Sequence, residues 1–238
     1  MRVISDLACE LLRRKPAACN GIQVTTEKQH GITTHTTTVA TTTAAKAIGK
    51  PVGTYLNIQA TSTSHDKHLT QAIAHNLRTL CDDNTKILVI GLGNAKFIAD
   101  SLGPLVLDNI QTGDTLLTFQ PSVFGVTGIN SVDAIKAITD LTKPTLVIII
   151  DSLVSAAPER VGTNYQICTS GITPGSGLGR DNQKIDQKFL GVPVLAIGIP
   201  VCTIMTTKKQ LYHVVPKDID EVVNHCAAVI AAAINTLA

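Results

Sequence analysis

Five consecutive apolar residues, Leu146–Ile150, constrain this 238-residue chain more than any other stretch. A strand with one solvated face alternates apolar and polar residues, so an unbroken run rich in β-branched side chains reads as a strand buried on both faces. Such a strand needs helices above and below its sheet. The run ends on a carboxylate, Asp151, and a segment holding Gly171, Pro174, Gly175, Gly177 and Gly179 follows. In open α/β sheets a carboxylate at the C-terminal end of a buried strand, with a glycine-rich loop behind it, occupies the usual address of a site. The plainer alternative makes Asp151 the N-cap of a following helix.

The rest of the chain supplies the expected partners. Val192–Ile199 is a second buried strand, and Ile87–Ile90 a third, followed by a Gly-x-Gly turn and a helix around Ser101–Asn109. Residues 67–81 place Leu69, Ile73, Leu77 and Leu80 on one helical stripe, and 131–141 do the same with Val132, Ile135 and Ile138. Beyond Pro216 the helical period holds to Leu237. Residues 1–14 read as a short helix with Ser5 or Asp6 as N-cap. The threonine-rich stretch from Gly21 to Thr43 reads as a hairpin turning near Gln29–Gly31, with further strands at about 54–60 and at Tyr212–Val214, and a strand or loop in TLLTFQPSVFGVTGI. Helices alternating with strands predict one domain over residues 1–238, a three-layer α/β/α sandwich around a mainly parallel sheet. With 44% hydrophobic residues, 3% aromatics and no Trp, its core is built from Val, Ile, Leu and Ala.

Several function classes drop out. A net charge of +2 provides no footprint for nucleic acid or an anionic membrane. No run approaches the ~20 apolar residues that span a bilayer, and Met1–Leu12 lacks the apolar region of a signal peptide. The six cysteines, at 9, 19, 81, 168, 202 and 226, form no CxxC pair and read as reduced thiols of a cytoplasmic protein. GLGN (91–94) suggests a dinucleotide turn, but the third fingerprint position holds a bulky side chain where Gly or Ala is needed, so no nucleotide cofactor is expected. His65 and His68 flank Asp66 without a cluster to complete a ligand set, and no metal is expected.

Asp100 follows the Ile87–Ile90 strand and the GLGN turn, which brings it toward the same sheet end as Asp151. Two converging carboxylates repel each other, which raises one pKa and leaves an acid and a base to activate water against a peptide carbonyl. The plainer reading again is an N-cap, for the helix at Ser101.

Taken together the motifs resemble the germination proteases of spore-forming bacteria. The resemblance runs through SDLACE (5–10), IGKPVGTYLNIQA (48–60), VIGLGN with ADSLGP (89–104), GVTGI (125–129), and KPTLVIIIDSL, ERVGTNYQI, GITPGSGLG and LGVPVLAIGIP between 143 and 200, with VVPKDID (214–220) after them. It implies an endopeptidase of unusual aspartic type, on a fold similar to the hydrogenase-maturation proteases, with small acid-soluble spore proteins as substrates. The family's two essential aspartates fall on Asp100 and Asp151. The resemblance further implies a homotetramer, a location in the cytoplasm or spore core, and a zymogen matured by self-cleavage. Because the family cuts between an acidic residue and an apolar residue followed by Ala, Asp6–Leu7 is the expected maturation bond, with residues 1–6 as a short pro-segment. Backbone N–H groups of Gly91, Gly93 and Asn94, and of Gly175, Ser176 and Gly177, are expected near the substrate or the developing oxyanion. The chain departs from the family pattern at Thr173, where members commonly carry His, at Cys168-Thr169-Ser170, and in a shortened 108–120 segment. A metal-dependent peptidase on the same fold and a non-catalytic peptide-binding homologue are the alternatives.

Overall fold

The computed structural model describes residues 5–13, 20–60, 66–79, 85–174, 183–207 and 210–237. Among them nine strands form one continuous sheet. These are β1 (Ile22–Gln29), β2 (Ile32–Val39), β3 (Gly53–Ala60), β4 (Ile87–Gly91), β5 (Leu116–Phe119), β6 (Leu146–Ser155), β7 (Asn164–Cys168), β8 (Val194–Thr206) and β9 (Leu211–Val214). The spatial order is β1-β2-β3-β7-β8-β6-β4-β5, with β9 on the far end of β8. The expected parallel pairing joins β8, β6, β4 and β5. The N-terminal half is antiparallel, entered through β7.

Helices cover both faces, as the unbroken apolar runs require. On one face α3 (Asp66–Arg78), α4 (Leu102–Asp108) and α8 (Ile219–Asn235) pack on Ile148, Ile150, Ile167 and Ile197. On the other, α6 (Ser131–Thr142) and α7 (Gln187–Leu190) cover Leu88, Ile90, Val147 and Ile149. Beside them α1 (Ala8–Arg13) and α2 (Thr42–Ile48) close the same face over Tyr55, Cys168 and Ala196. The remaining short helix, α5 (Phe124–Thr127), follows β5 in the stretch read as strand or loop.

The threonine-rich segment is the expected hairpin. It turns at His30 and Gly31, both with positive φ, and Gly31 adopts that conformation without the side-chain clash other residues meet. Three elements differ from the sequence reading. β6 does not stop at Asp151 but continues to Ser155, with a register shift between Leu153 and Val154. No helix follows Asp151, so it caps none. β7 was not foreseen: Asn164 and Gln166 alternate with Tyr165 and Ile167, which reads as half-exposed, yet every residue of this strand is buried. Finally, α1 begins at Ala8 rather than directly after its N-cap candidates.

Candidate active site

Strand register assembles the first part of the site. Gly198 of β8 pairs with Asp151 of β6 on one side and with Gln166 of β7 on the other. The three lie abreast at the point where parallel pairing gives way to antiparallel. Gly198 has to be small: a Cβ there would lie 2.6 Å from Leu153 Cγ and 2.8 Å from the Asp151 carbonyl oxygen. Its bare backbone helps floor a cavity of about 240 Å³, lined also by Asp6, Lys50, Asp100, Asp151 and Gln166.

Asp100 reaches this cavity through the GLGN turn. β4 ends at Gly91, and the Leu92 N–H donates to the Ile150 carbonyl at 2.9 Å, tying the turn to β6. Gly93 sits at φ +111°, and a Cβ on it would fall 2.0 Å from the Asp100 carbonyl oxygen, so only glycine fits. The Asn94 N–H is shared between the Asp100 carbonyl oxygen (2.9 Å) and its carboxylate Oδ2 (3.0 Å). Gly91 and Gly103 meet backbone to backbone, which sets α4 directly against the strand end. Gly91, Gly93 and Asn94, expected at the substrate, therefore hold Asp100 in place and are not among the cavity-lining residues. Asp100 itself ends a 3-10 turn (Ile98–Asp100), and the cap position of α4 belongs to Ser101.

The carboxyl of Asp151 is held well above the usual carboxylate range. Enclosure by protein is the largest cause, followed by repulsion from Asp100 and then from Asp6, and a bond from the Ser152 N–H to Oδ1 at 2.9 Å opposes them. The two sequence-predicted aspartates thus share one cavity and sense each other electrostatically, and a third carboxylate joins them.

That third carboxylate belongs to the segment before α1. Asp6 runs beside the end of β6: its N–H donates to the Val154 carbonyl (2.9 Å), and the Val154 N–H donates to its carboxylate (2.9 Å). The Asp6 carbonyl oxygen accepts from Lys50 Nζ at 2.7 Å and from Gln166 Nε2 at 3.0 Å. Leu7 and Ala8 are fully buried, and the Ala8 N–H donates to Gln166 Oε1 at 2.9 Å. Lys50 is aimed by the sequence I-G-K-P. Gly49 ends α2 in the left-handed conformation, the Lys50 N–H closes on the Ala45 carbonyl at 3.2 Å, and Pro51 prevents continuation. Behind the segment, the Glu10 carboxylate accepts from Ser5 Oγ and from the Ala156 and Ala157 N–H groups, and pairs with Arg160 at 3.2 Å.

The sequence reading missed Lys50, Gln166, Gly198 and Val154. The first three lie inside the quoted blocks IGKPVG, ERVGTNYQI and LAIGIP, so a signal was present, but only the register of four strands gives it meaning. Cys168 and Thr173 also line the cavity. Burial pushes the Cys168 thiol up, the opposite of what a thiolate nucleophile needs. On either side of the glycine-rich stretch, Ile172 and Ile185 exchange a pair of backbone bonds. Gly175, Ser176 and Gly177 lie outside the described residues. Among the described residues no group of three or more His, Cys, Asp or Glu side chains could hold a metal ion, and no helix is long and apolar enough to cross a membrane.

Comparison with known proteins adds an independent line. Residues 8–210 match the family model of the germination proteases. A germination protease of Caldanaerobacter subterraneus subsp. tengcongensis is 36% identical over 219 residues, spanning 82% of this chain and 68% of that protein. Those of Clostridium tetani and Bacillus cytotoxicus are each 32% identical, over 84% and 83% of this chain and 70% and 62% of theirs. Among solved structures, a [NiFe] hydrogenase maturation protease HycI from Thermococcus kodakarensis matches at 19% identity and a TM-score of 0.43, covering 63% of this chain and 92% of that one. The family match over most of the chain, together with the identity to these relatives, makes it a member of the germination protease family, and hence a peptidase, a hydrolase acting on peptide bonds.

Proposed function

We propose that the chain is an endopeptidase of aspartic type that cuts small acid-soluble spore proteins between an acidic residue and an apolar residue followed by Ala. The observation carrying this reading is the shared cavity of Asp100 and Asp151, with burial and neighbouring carboxylates pushing the Asp151 carboxyl well above the usual carboxylate range. Two carboxylates in such a site cannot both ionise at low cost, and they divide into an acid and a base. Asp151, the one pushed upward, keeps its proton and delivers it to the leaving amine. Asp100 takes the proton of the attacking water. The Asp6–Leu7 bond is the chain's own maturation site, and residues 1–6 are its pro-segment. The folded unit extends over residues 1–238, it assembles as a homotetramer, and it works in the spore core.

The test is cleavage of a peptide containing Glu-Ile-Ala, with N-terminal sequencing of the protein after prolonged incubation. Wild type should cut the peptide and acquire Leu7 as its first residue. Asp100→Asn and Asp151→Asn should each do neither, and full activity in both variants would reject the mechanism.

A further inference from the structure

Water activation accounts for only half of a peptide hydrolysis. As the nucleophile adds, the carbonyl oxygen gains negative charge, and a site without donors aimed at it loses a factor of about 10²–10³ in kcat. The GLGN turn was the expected source, yet its Asn94 N–H is engaged by Asp100. Another pair of donors already converges on a carbonyl oxygen inside the cavity, and that carbonyl belongs to Asp6.

We propose that Lys50 and Gln166 form the oxyanion site of this peptidase, and that Gln166 also spans the scissile bond by accepting the N–H two residues beyond it. The inference rests on the endopeptidase reading and names the residues that would complete it. Lys50 Nζ at 2.7 Å and Gln166 Nε2 at 3.0 Å both reach the Asp6 carbonyl oxygen, at hydrogen-bonding distances for that acceptor. The other end of the same amide, Oε1, holds the Ala8 N–H at 2.9 Å. One buried glutamine side chain therefore grips the backbone on both sides of Asp6–Leu7 and fixes the peptide plane between them. Gln166 stands two strands from Asp151, across Gly198, on the same face of the sheet.

The same contacts assign the specificity. The acidic side chain is read by the Val154 N–H, available because the chain of β6 shifts register there. The apolar residue enters a fully buried position, as Leu7 does. The next residue must be small, because Ala8 is wholly enclosed against Tyr55 and Cys168 in the core under α2. Asp6-Leu7-Ala8 thus occupies the site as a substrate would.

The reaction balances with these groups. Water oxygen adds to the carbonyl carbon, Asp100 takes the water proton, and the carbonyl π electrons move to the oxygen between Lys50 and Gln166. Collapse re-forms the C=O bond, breaks the C–N bond, and transfers the Asp151 proton to the departing nitrogen. The products are a carboxylic acid on the acidic residue and an amine on the apolar one.

The test measures kcat and KM separately on the Glu-Ile-Ala peptide. Lys50→Met and Gln166→Leu should each lower kcat by about 10²-fold, and Gln166→Leu should also raise KM because it gives up the N–H two residues beyond the bond, while circular dichroism stays that of the wild type. Lys50→Arg, which keeps the charge, should recover part of the lost rate. Wild-type kcat in both Lys50→Met and Gln166→Leu overturns the proposal. A phosphinic peptide carrying Asp, Leu and Ala around its tetrahedral phosphorus supplies a readout that needs no turnover. Its charged oxygens should make it bind Lys50→Met at least about tenfold more weakly than wild type, and equal binding overturns the proposal. Should the wild type cut nothing while this difference in binding persists, the proteolytic reading falls and the Lys50–Gln166 anion site stands.

Discussion

At the scale of single residues, the raised carboxyl of Asp151 links protonation to stability. The unfolded chain ionises this group near its ordinary value of 3.8, whereas the native state resists ionisation. Below that value both states are protonated and the contribution is intact. As pH rises toward the native value, the unfolded state gains by ionising and the native state loses stability relative to it. Asp151→Asn, which cannot ionise, should therefore melt higher than wild type near neutral pH, with the difference closing below about pH 4, the ordinary range for this side chain. Calorimetry across a pH series checks this. Cleavage should respond in the same direction, falling as pH rises through the Asp151 titration because the acid is then spent. Gly198→Ala gives a steric counterpart. Its Cβ meets Leu153 Cγ and the Asp151 carbonyl, so a loss of about 1–3 kcal/mol in denaturant unfolding is expected, along with a drop in kcat.

At the scale of elements, α1 is fastened by one carboxylate. Glu10 and Arg160 are 6% and 8% exposed in their side chains, and Glu10 also takes the two N–H groups that follow β6. Removing one partner of such a buried pair leaves the other charge uncompensated, at about 3–5 kcal/mol. Glu10→Ala should show that loss in urea, and because the Asp6–Leu7 bond lies in the segment that leads directly into α1, self-cleavage should slow as well. Neither this clasp nor its reach from residue 10 to residue 160 is legible in the sequence, since buried ion pairs leave no periodic trace. The helical stripes were legible, because Leu69, Ile73 and Leu77 of α3 and Val132 and Ile135 of α6 repeat at the spacing burial demands. So was the strand that delivers Asp151. β7 was hidden because its polar residues Asn164 and Gln166 are buried, Gln166 against the cavity, instead of facing solvent. The consequence fell on the site: Asp151 and Asp100 could be read from strand ends, but Lys50 and Gln166 acquire a role only when β3, β7 and β8 are set side by side.

At the scale of the molecule, the sheet ends in a strand whose residues after Ile22 are all exposed, with Val24 54% accessible. Unpaired strand edges of this kind invite pairing unless covered. Light scattering of the purified protein should find a homo-oligomer, and a monomer at micromolar concentration would reject the tetramer. Asp6, threaded between Val154, Lys50 and Gln166, has a kinetic consequence as well. A ligand joined to its own receptor acts at an effective concentration that can reach the millimolar range, so any peptide arriving from solution competes with a resident occupant. The uncut protein should respond weakly to dilute substrate, and a chain beginning at Leu7 should respond strongly to the same dose. The first bond broken would then act as a timer, delaying the attack on other proteins until the protease has finished with itself.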